Sequence, residues 1–284
     1  FHNVLCLSEA KGMDIIMKYC YIFSDIVITL SSLEKIKCIG SSSLFQKQNG
    51  EEKSDFNIEI QVGALERFPE EHLAYSGAKR KSFILQDKIL SFYRELNKEW
   101  QFCYEEYDDY GILTALPEYV HYLRDIRNIW DKIDFSRILL SRSALILHAS
   151  YIIWNGCGIL FTAPSGTGKS TQAGLWEKYR GAEIINGDRA VIREREGRQR
   201  AYSLPFSGTS GICRNVSCPL RAIVVLGQAK TNILRYLSDS EAVKYLYSQC
   251  AVNRWNGAEV SLVMDLLQKL VREVPVLRLD CLPD

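Results

Sequence analysis

Ala163-Pro164-Ser165-Gly166-Thr167-Gly168-Lys169-Ser170-Thr171 is the stretch whose reading decides the fold. Gly166 and Gly168 let the backbone turn sharply and bring its N–H groups close to an anion. Lys169 adds a mobile positive charge, and Ser170 offers a hydroxyl to Mg²⁺. The expected phosphate-binding set is therefore Pro164, Ser165, Gly166, Thr167, Gly168, Lys169, Ser170 and Thr171. The usual pattern opens with Gly, whereas this chain has Ala163. That departure costs little if the backbone φ at Ala163 is negative.

The flanking sequence has the pattern such a loop requires. Ala144–Tyr151 and Cys157–Thr162 are apolar runs, with Gly156 and Gly158 marking a turn. Gly158–Thr162 reads as a buried strand running straight into the loop. Lys169–Tyr179 reads as a helix, with Ala173, Leu175, Trp176 and Tyr179 available for packing. Strand, loop and helix in that order aim the free N–H groups of the first helical turn at the anion.

Downstream, Ala182-Glu183-Ile184-Ile185-Asn186-Gly187-Asp188-Arg189-Ala190-Val191-Ile192 reads as a strand, an acidic turn and a second strand. The intervening helix is short, so this segment can return beside the loop. Asp188 then has two open roles, holding Mg²⁺ together with Ser170 or accepting the proton of an acceptor hydroxyl. A turn-capping Asp is the plainer alternative. Tyr202–Asn215 mixes small polar residues with Gly and ends in Arg214-Asn215, a candidate substrate-binding pair because guanidinium binds carboxylate or phosphate bidentately. Lys230, in the polar turn after the apolar run Leu220–Leu226, is a candidate nucleotide contact; a solvated turn lysine is the alternative. Ile233–Leu237 and Val274–Leu279 read as strands, and Ser240–Cys250 and Val260–Glu273 as helices.

On these marks Leu139–Asn232 resembles the bacterial HPr serine kinase/phosphorylase family, and more closely the peptide-modifying kinases that share its C-terminal catalytic domain. The resemblance rests on Leu147-His148-Ala149-Ser150, the loop Ala163–Thr171, Ile185–Val191, Pro219-Leu220 and Asn232. It implies a nucleotide core similar to that of phosphoenolpyruvate carboxykinase. It also implies ATP with Mg²⁺, and a His close to the phosphates, here His148. Family members carry an acidic pair where this chain has Gly187-Asp188, so only the second acid matches. The implied catalytic residues are Asp188, Lys169 and His148.

The N-terminal half has a different texture. Tyr21–Leu30, Phe56–Val62 and Lys81–Leu85 are β-rich, and Gly40–Asp55 reads as a polar loop. Lys88–Trp100 and Tyr119–Ile133 have helical spacing of apolar residues. The aromatics from Tyr93 to Tyr122 read mostly as core. The expected fold class is mixed α/β: an accessory, β-rich α+β domain over residues 1–134, serving acceptor recognition, then a phosphate-loop catalytic domain over 135–284 that opens with a helix at Phe135–Leu140.

Bulk properties narrow the partners. The 284 residues hold 35 basic and 34 acidic side chains, a formal charge of +1. Nothing in that balance implies a nucleic-acid or membrane partner. Nine cysteines are scattered without a Cys-x-x-Cys pair, which disfavours zinc and a disulfide scaffold. No apolar run approaches the ~20 residues that span a bilayer. Phe1–Val4 lacks the basic head of a signal peptide. A cytoplasmic enzyme is expected. The missing initiator Met points to a start inside a longer product, and the abrupt end at Cys281–Asp284 to a missing final helix. The expected partners are a nucleotide and a peptide, small-protein or small-molecule acceptor, with homo-oligomerisation open. Three classes fit: a kinase acting on a hydroxyl, a nucleotide-binding or hydrolysing module, and, less well, a carboxykinase-like decarboxylating enzyme.

Overall fold

The structure is a computed structural model that describes residues 16–47, 53–96 and 98–282. The expectations for Phe1–Val4, for part of the polar loop within Gly40–Asp55 and for the last two residues lie outside these. Two compact units divide the chain, Phe1–Phe135 and Ser136–Asp284. Among the described residues no helix is long and apolar enough to cross a membrane.

The first unit is built on a nine-stranded sheet. Its strands are β1 (Met17–Phe23), β2 (Ile26–Ser32), β3 (Gln46–Lys47), β4 (Phe56–Val62), β5 (Leu73–Ser76), β6 (Arg80–Ile84), β7 (Ile89–Tyr93), β8 (Phe102–Glu106) and β9 (Tyr110–Ala115). They are ordered β3-β1-β2-β4-β9-β8-β7-β6-β5. Ser24 and Asp25 both take positive φ (55° and 61°), which makes β1 and β2 a tight hairpin. Lys88–Trp100, expected as a helix, contains β7 instead. This strand pairs on both edges, with Leu90 and Phe92 in an apolar cluster and Ser91 and Tyr93 buried opposite. Burial on both faces erases the alternation that marks a strand. Tyr119–Ile133 is likewise no single helix. A 3₁₀ segment, Pro117–Arg124, gives way to the short α1 (Ile126–Trp130), capped by Asp125, which accepts from Arg127 N–H. α2 (Phe135–Leu140) follows.

The second unit contains β10 (Ala144–Trp154), β11 (Cys157–Thr162), α3 (Lys169–Arg180), β12 (Glu183–Asn186), β13 (Arg189–Arg195), β14 (Arg198–Ser203) and β15 (Ser217–Gln228). β16 (Ile233–Tyr236), α4 (Asp239–Gln249), α5 (Gly257–Glu273) and β17 (Val276–Cys281) complete it. β11 lies antiparallel to β10 on one edge and parallel to β15 on the other. β10 also pairs with β13, β13 with β14, and β14 with the first residues of β15. The pairings therefore close a ring, β10-β13-β14-β15-β11.

Alternation along β11 assigns its two faces. Ile159, Phe161 and Ala163 pack with Ile152, Val224, Leu226 and Ala173 of α3. Leu160 faces the opposite cluster with Ala242 and Leu246 of α4 and Val263, Leu267 and Leu270 of α5. Each large side chain buried this way contributes about 1.5–3 kcal/mol. The helix α3 packs through Ala173 and Trp176, whereas Leu175 and Tyr179 are exposed, contrary to the sequence expectation. A helix touches a sheet along one stripe, and both fall outside it.

Candidate functional site

The strand β11 ends at Thr162, the loop occupies Ala163–Gly168, and α3 begins at Lys169. Gly166 and Gly168 sit at φ of 79° and 112°, where a side chain is strained. Ala163 is not among the positive-φ residues and is buried against α3, so its methyl group adds packing without strain. No atom lies within 4 Å of where a Cβ on Gly166 or Gly168 would stand, so the glycines border open space. Pro164, Ser165, Gly166, Ser170 and Thr171 are exposed, and Thr167 and Gly168 are half-buried.

Lys169 is buried, and its ammonium group donates to the carbonyl oxygens of Ala163 (2.9 Å) and Pro164 (3.3 Å). Burial pushes its pKa below the ordinary lysine value, and the charge of Asp188 partly offsets this. The loop thus bends its own lysine back onto two of its carbonyls.

The strands β12 and β13 lie along the same edge of β10, and the end of β12 at Asn186 keeps the register of β13, after a shift between Tyr151 and Ile152. Tyr151 stands opposite Asn186, and His148 opposite Arg189. Gly187 and Asp188, between them, bend away while Ala149 N–H still donates to Asp188 O (3.0 Å). The cause is Asn186, whose fully buried side chain accepts from the N–H groups of Asp188 (2.9 Å) and Arg189 (3.1 Å). Its amide nitrogen donates to Ser203 Oγ (3.1 Å) and Leu204 O (2.9 Å), which ties the turn to the end of β14. This Asn-capped turn aims Asp188, and no local signal at Asn186 marks its long-range half.

The Asp188 carboxylate lies 3.4 Å from His148 Nε2 and 3.4 Å from Arg189 Nε. Ser150 and Phe161 are register partners, so His148 points from the same sheet face as Phe161 and Ala163, the face that carries α3. Burial lowers the His148 pKa, the Lys169 charge lowers it further, and Asp188 acts in the opposite sense. Its imidazole is therefore biased towards the neutral form. The segment after β14 covers the turn: Gly208, at φ of 54°, approaches so closely that a Cβ there would stand 2.8 Å from Asp188 Cγ. Ser210 presses on Gly187, where a Cβ would stand 2.1 Å from Ser210 Oγ. No side chain, acidic or otherwise, fits at Gly187 while Ser210 stays in place.

Lys169, Asp188 and His148 are thus brought together. Arg214 is not brought to the carboxylate, because its guanidinium pairs with Glu183 at the far end of β12. Asn215 is exposed beside it. Lys230 is exposed in the turn after β15, whose C-terminal end runs beside that of β11. Among the described residues no group of three or more His, Cys, Asp or Glu gathers as a metal site. An Mg²⁺ ion that keeps most of its ligands as water and phosphate oxygens does not need one. Ser170, exposed in the first turn of α3, and Asp188 carry oxygen donors of the kind such an ion takes.

A family model, the SynChlorMet cassette protein ScmC, matches residues 126–281, more than half of the chain. The chain belongs to that family. No curated protein matches. Among solved structures, the Hpr(Ser) kinase/phosphatase from Coxiella burnetii matches at 10% identity over 48% of this chain and 85% of that one, with a TM-score of 0.28. So distant a likeness leaves the chemistry of this ScmC-family chain to its own residues.

Proposed function

We propose that the second unit is a Mg²⁺- and ATP-dependent kinase that transfers the γ-phosphoryl group to a hydroxyl of a peptide, small protein or small metabolite. The observation that carries this reading is the convergence of the glycine-bordered loop, its buried Lys169 and the aimed carboxylate of Asp188. In this reading the loop amides and Lys169 neutralise charge on the phosphates as the transfer proceeds. Ser170 and Asp188 would hold Mg²⁺, which would supply further positive charge to the phosphates. In the alternative role, Asp188 orients the acceptor hydroxyl or takes its proton. Neutral His148, 3.4 Å from Asp188, steadies that carboxylate. Residues 1–134 serve acceptor recognition.

Calorimetry with Mg-ATP and single-turnover transfer of labelled γ-phosphate test the reading. Lys169→Ala removes the loop cation and is expected to weaken binding, turnover or both sharply. Asp188→Asn keeps shape and loses charge, so transfer should fall ~10²-fold or more while ATP affinity changes only modestly. Equal affinity and turnover in K169A, or full transfer in D188N, overturns the assignment.

A second reading, a nucleotide-binding or hydrolysing module without a separate acceptor, is favoured by one observation: the segment carrying Gly208 already lies over Asp188. ATP consumption without transfer to any acceptor would select it.

A further inference from the structure

Three hydroxyl side chains, Ser207, Thr209 and Ser210, ride on the segment that covers the Asp188 turn. Gly208 brings the backbone of this segment against the Asp188 carboxylate, and Ser210 brings its side chain against Gly187. Two other hydroxyls touch the turn: Ser150 Oγ donates to Gly187 O (3.1 Å) and Ser203 Oγ accepts from Asn186 Nδ2 (3.1 Å), but both serines are buried and closed to a phosphoryl group. Ser210 is exposed. Its hydroxyl donates to Ser207 O (2.7 Å) and accepts from Ile212 N–H (3.3 Å), two bonds that one side-chain rotation releases. The chain therefore holds a serine of its own against Gly187, one residue from the carboxylate that an outside acceptor would have to reach.

The geometry points to Ser210 as a phosphoryl acceptor for the chain's own nucleotide site, an inference that rests on the kinase reading. The Oγ of Ser210 forms a bond to the γ-phosphorus of the nucleoside triphosphate. The bond from that phosphorus to the β,γ-bridging oxygen breaks, and the nucleoside diphosphate departs. The hydroxyl proton passes to Asp188 and from there to water. The product places a phosphate dianion on the segment that lies against the Asp188 carboxylate, and like charges brought close repel. Phosphorylation of Ser210 therefore drives the segment off Asp188 and opens the carboxylate to an outside acceptor.

The test incubates the full chain with Mg-ATP and no acceptor, then measures intact mass and maps the modified peptide. One phosphate at Ser210 is expected, at a first-order rate independent of protein concentration. Ser210→Ala should abolish it and leave ATP affinity by calorimetry unchanged, Ser210→Thr should retain it, and D188N should slow it ~10²-fold. ATP binding with no phosphate gained, a phosphate mapped to another residue, or a rate proportional to protein concentration overturns this inference and leaves the kinase reading standing. Loss of the kinase reading would show separately, as ATP affinity and turnover that are both unchanged in K169A.

Discussion

Asn186→Ala tests whether the Asp188 turn is built as described. The substitution removes the acceptor of two backbone N–H groups, those of Asp188 and Arg189. The acceptors on its other side are less exposed to loss, because Leu204 O also receives Cys213 Sγ at 3.0 Å and Ser203 Oγ at 3.5 Å. An orphaned buried N–H costs about 1–3 kcal/mol. Two part-buried ones, at about 1.5 kcal/mol each, come to about 3 kcal/mol. For a domain of this size that lowers Tm by roughly 6–12 °C. The carboxylate also loses its aim, and a displacement of about 1 Å at a reacting group costs ~10²-fold in rate. Thermal melts followed by circular dichroism, and single-turnover transfer below the melting range, read the two effects. A melting temperature within ~2 °C of wild type together with unchanged transfer would refute the role assigned to Asn186.

Two further expectations concern the same loop and turn. Gly168→Ala forces a side chain into a backbone at φ of 112° and should cost about 1–2 kcal/mol along with nucleotide affinity. Gly174→Ala, in mid-helix with nothing within 4 Å of the new methyl group, should instead stabilise by about 0.5–1 kcal/mol; matched denaturant titrations compare them, and equal effects would refute the loop geometry. His148 titrates below its ordinary value of 6.5 in the folded chain. As pH falls through 6.5 the unfolded chain takes up the proton first, so stability present above that pH is lost towards the lower folded value. Melts at about pH 7.5 and 5.5 should show a larger drop for wild type than for His148→Gln, and parallel drops would remove the effect.

The parts of the site legible in the sequence were those made by neighbouring residues. Gly158–Thr162, the two glycines and the helical spacing behind Lys169 depend only on local backbone preferences, and they stand as strand, loop and helix. Parts made by distant residues were not legible. Asn186 reaches Ser203 and Leu204, and Gly187 is closed by Ser210, both contacts set by how β14 ends. In the first unit, apolar residues at Ile89, Leu90, Phe92 and Tyr93 satisfy helical spacing and a doubly buried strand alike, so periodicity misled there. Arg214 had the composition of an anion clamp, but a carboxylate on β12 claims it.

The ring of strands has a consequence for how the chain comes to be folded. β11 hangs the glycine loop between a close neighbour in sequence, β10, and a remote one, β15, with Gly158 held beside Leu220. Parallel pairing across such a separation carries a loop-closure cost that must be met before its contacts are gained. On a ribosome, the hairpin β10–β11 can form as soon as it emerges. The floor of the loop is completed only once the residues of β15 have left the exit tunnel. The site should therefore be among the later parts of the second unit to become protected from hydrogen exchange, although the motif that announces it sits near the middle of the chain.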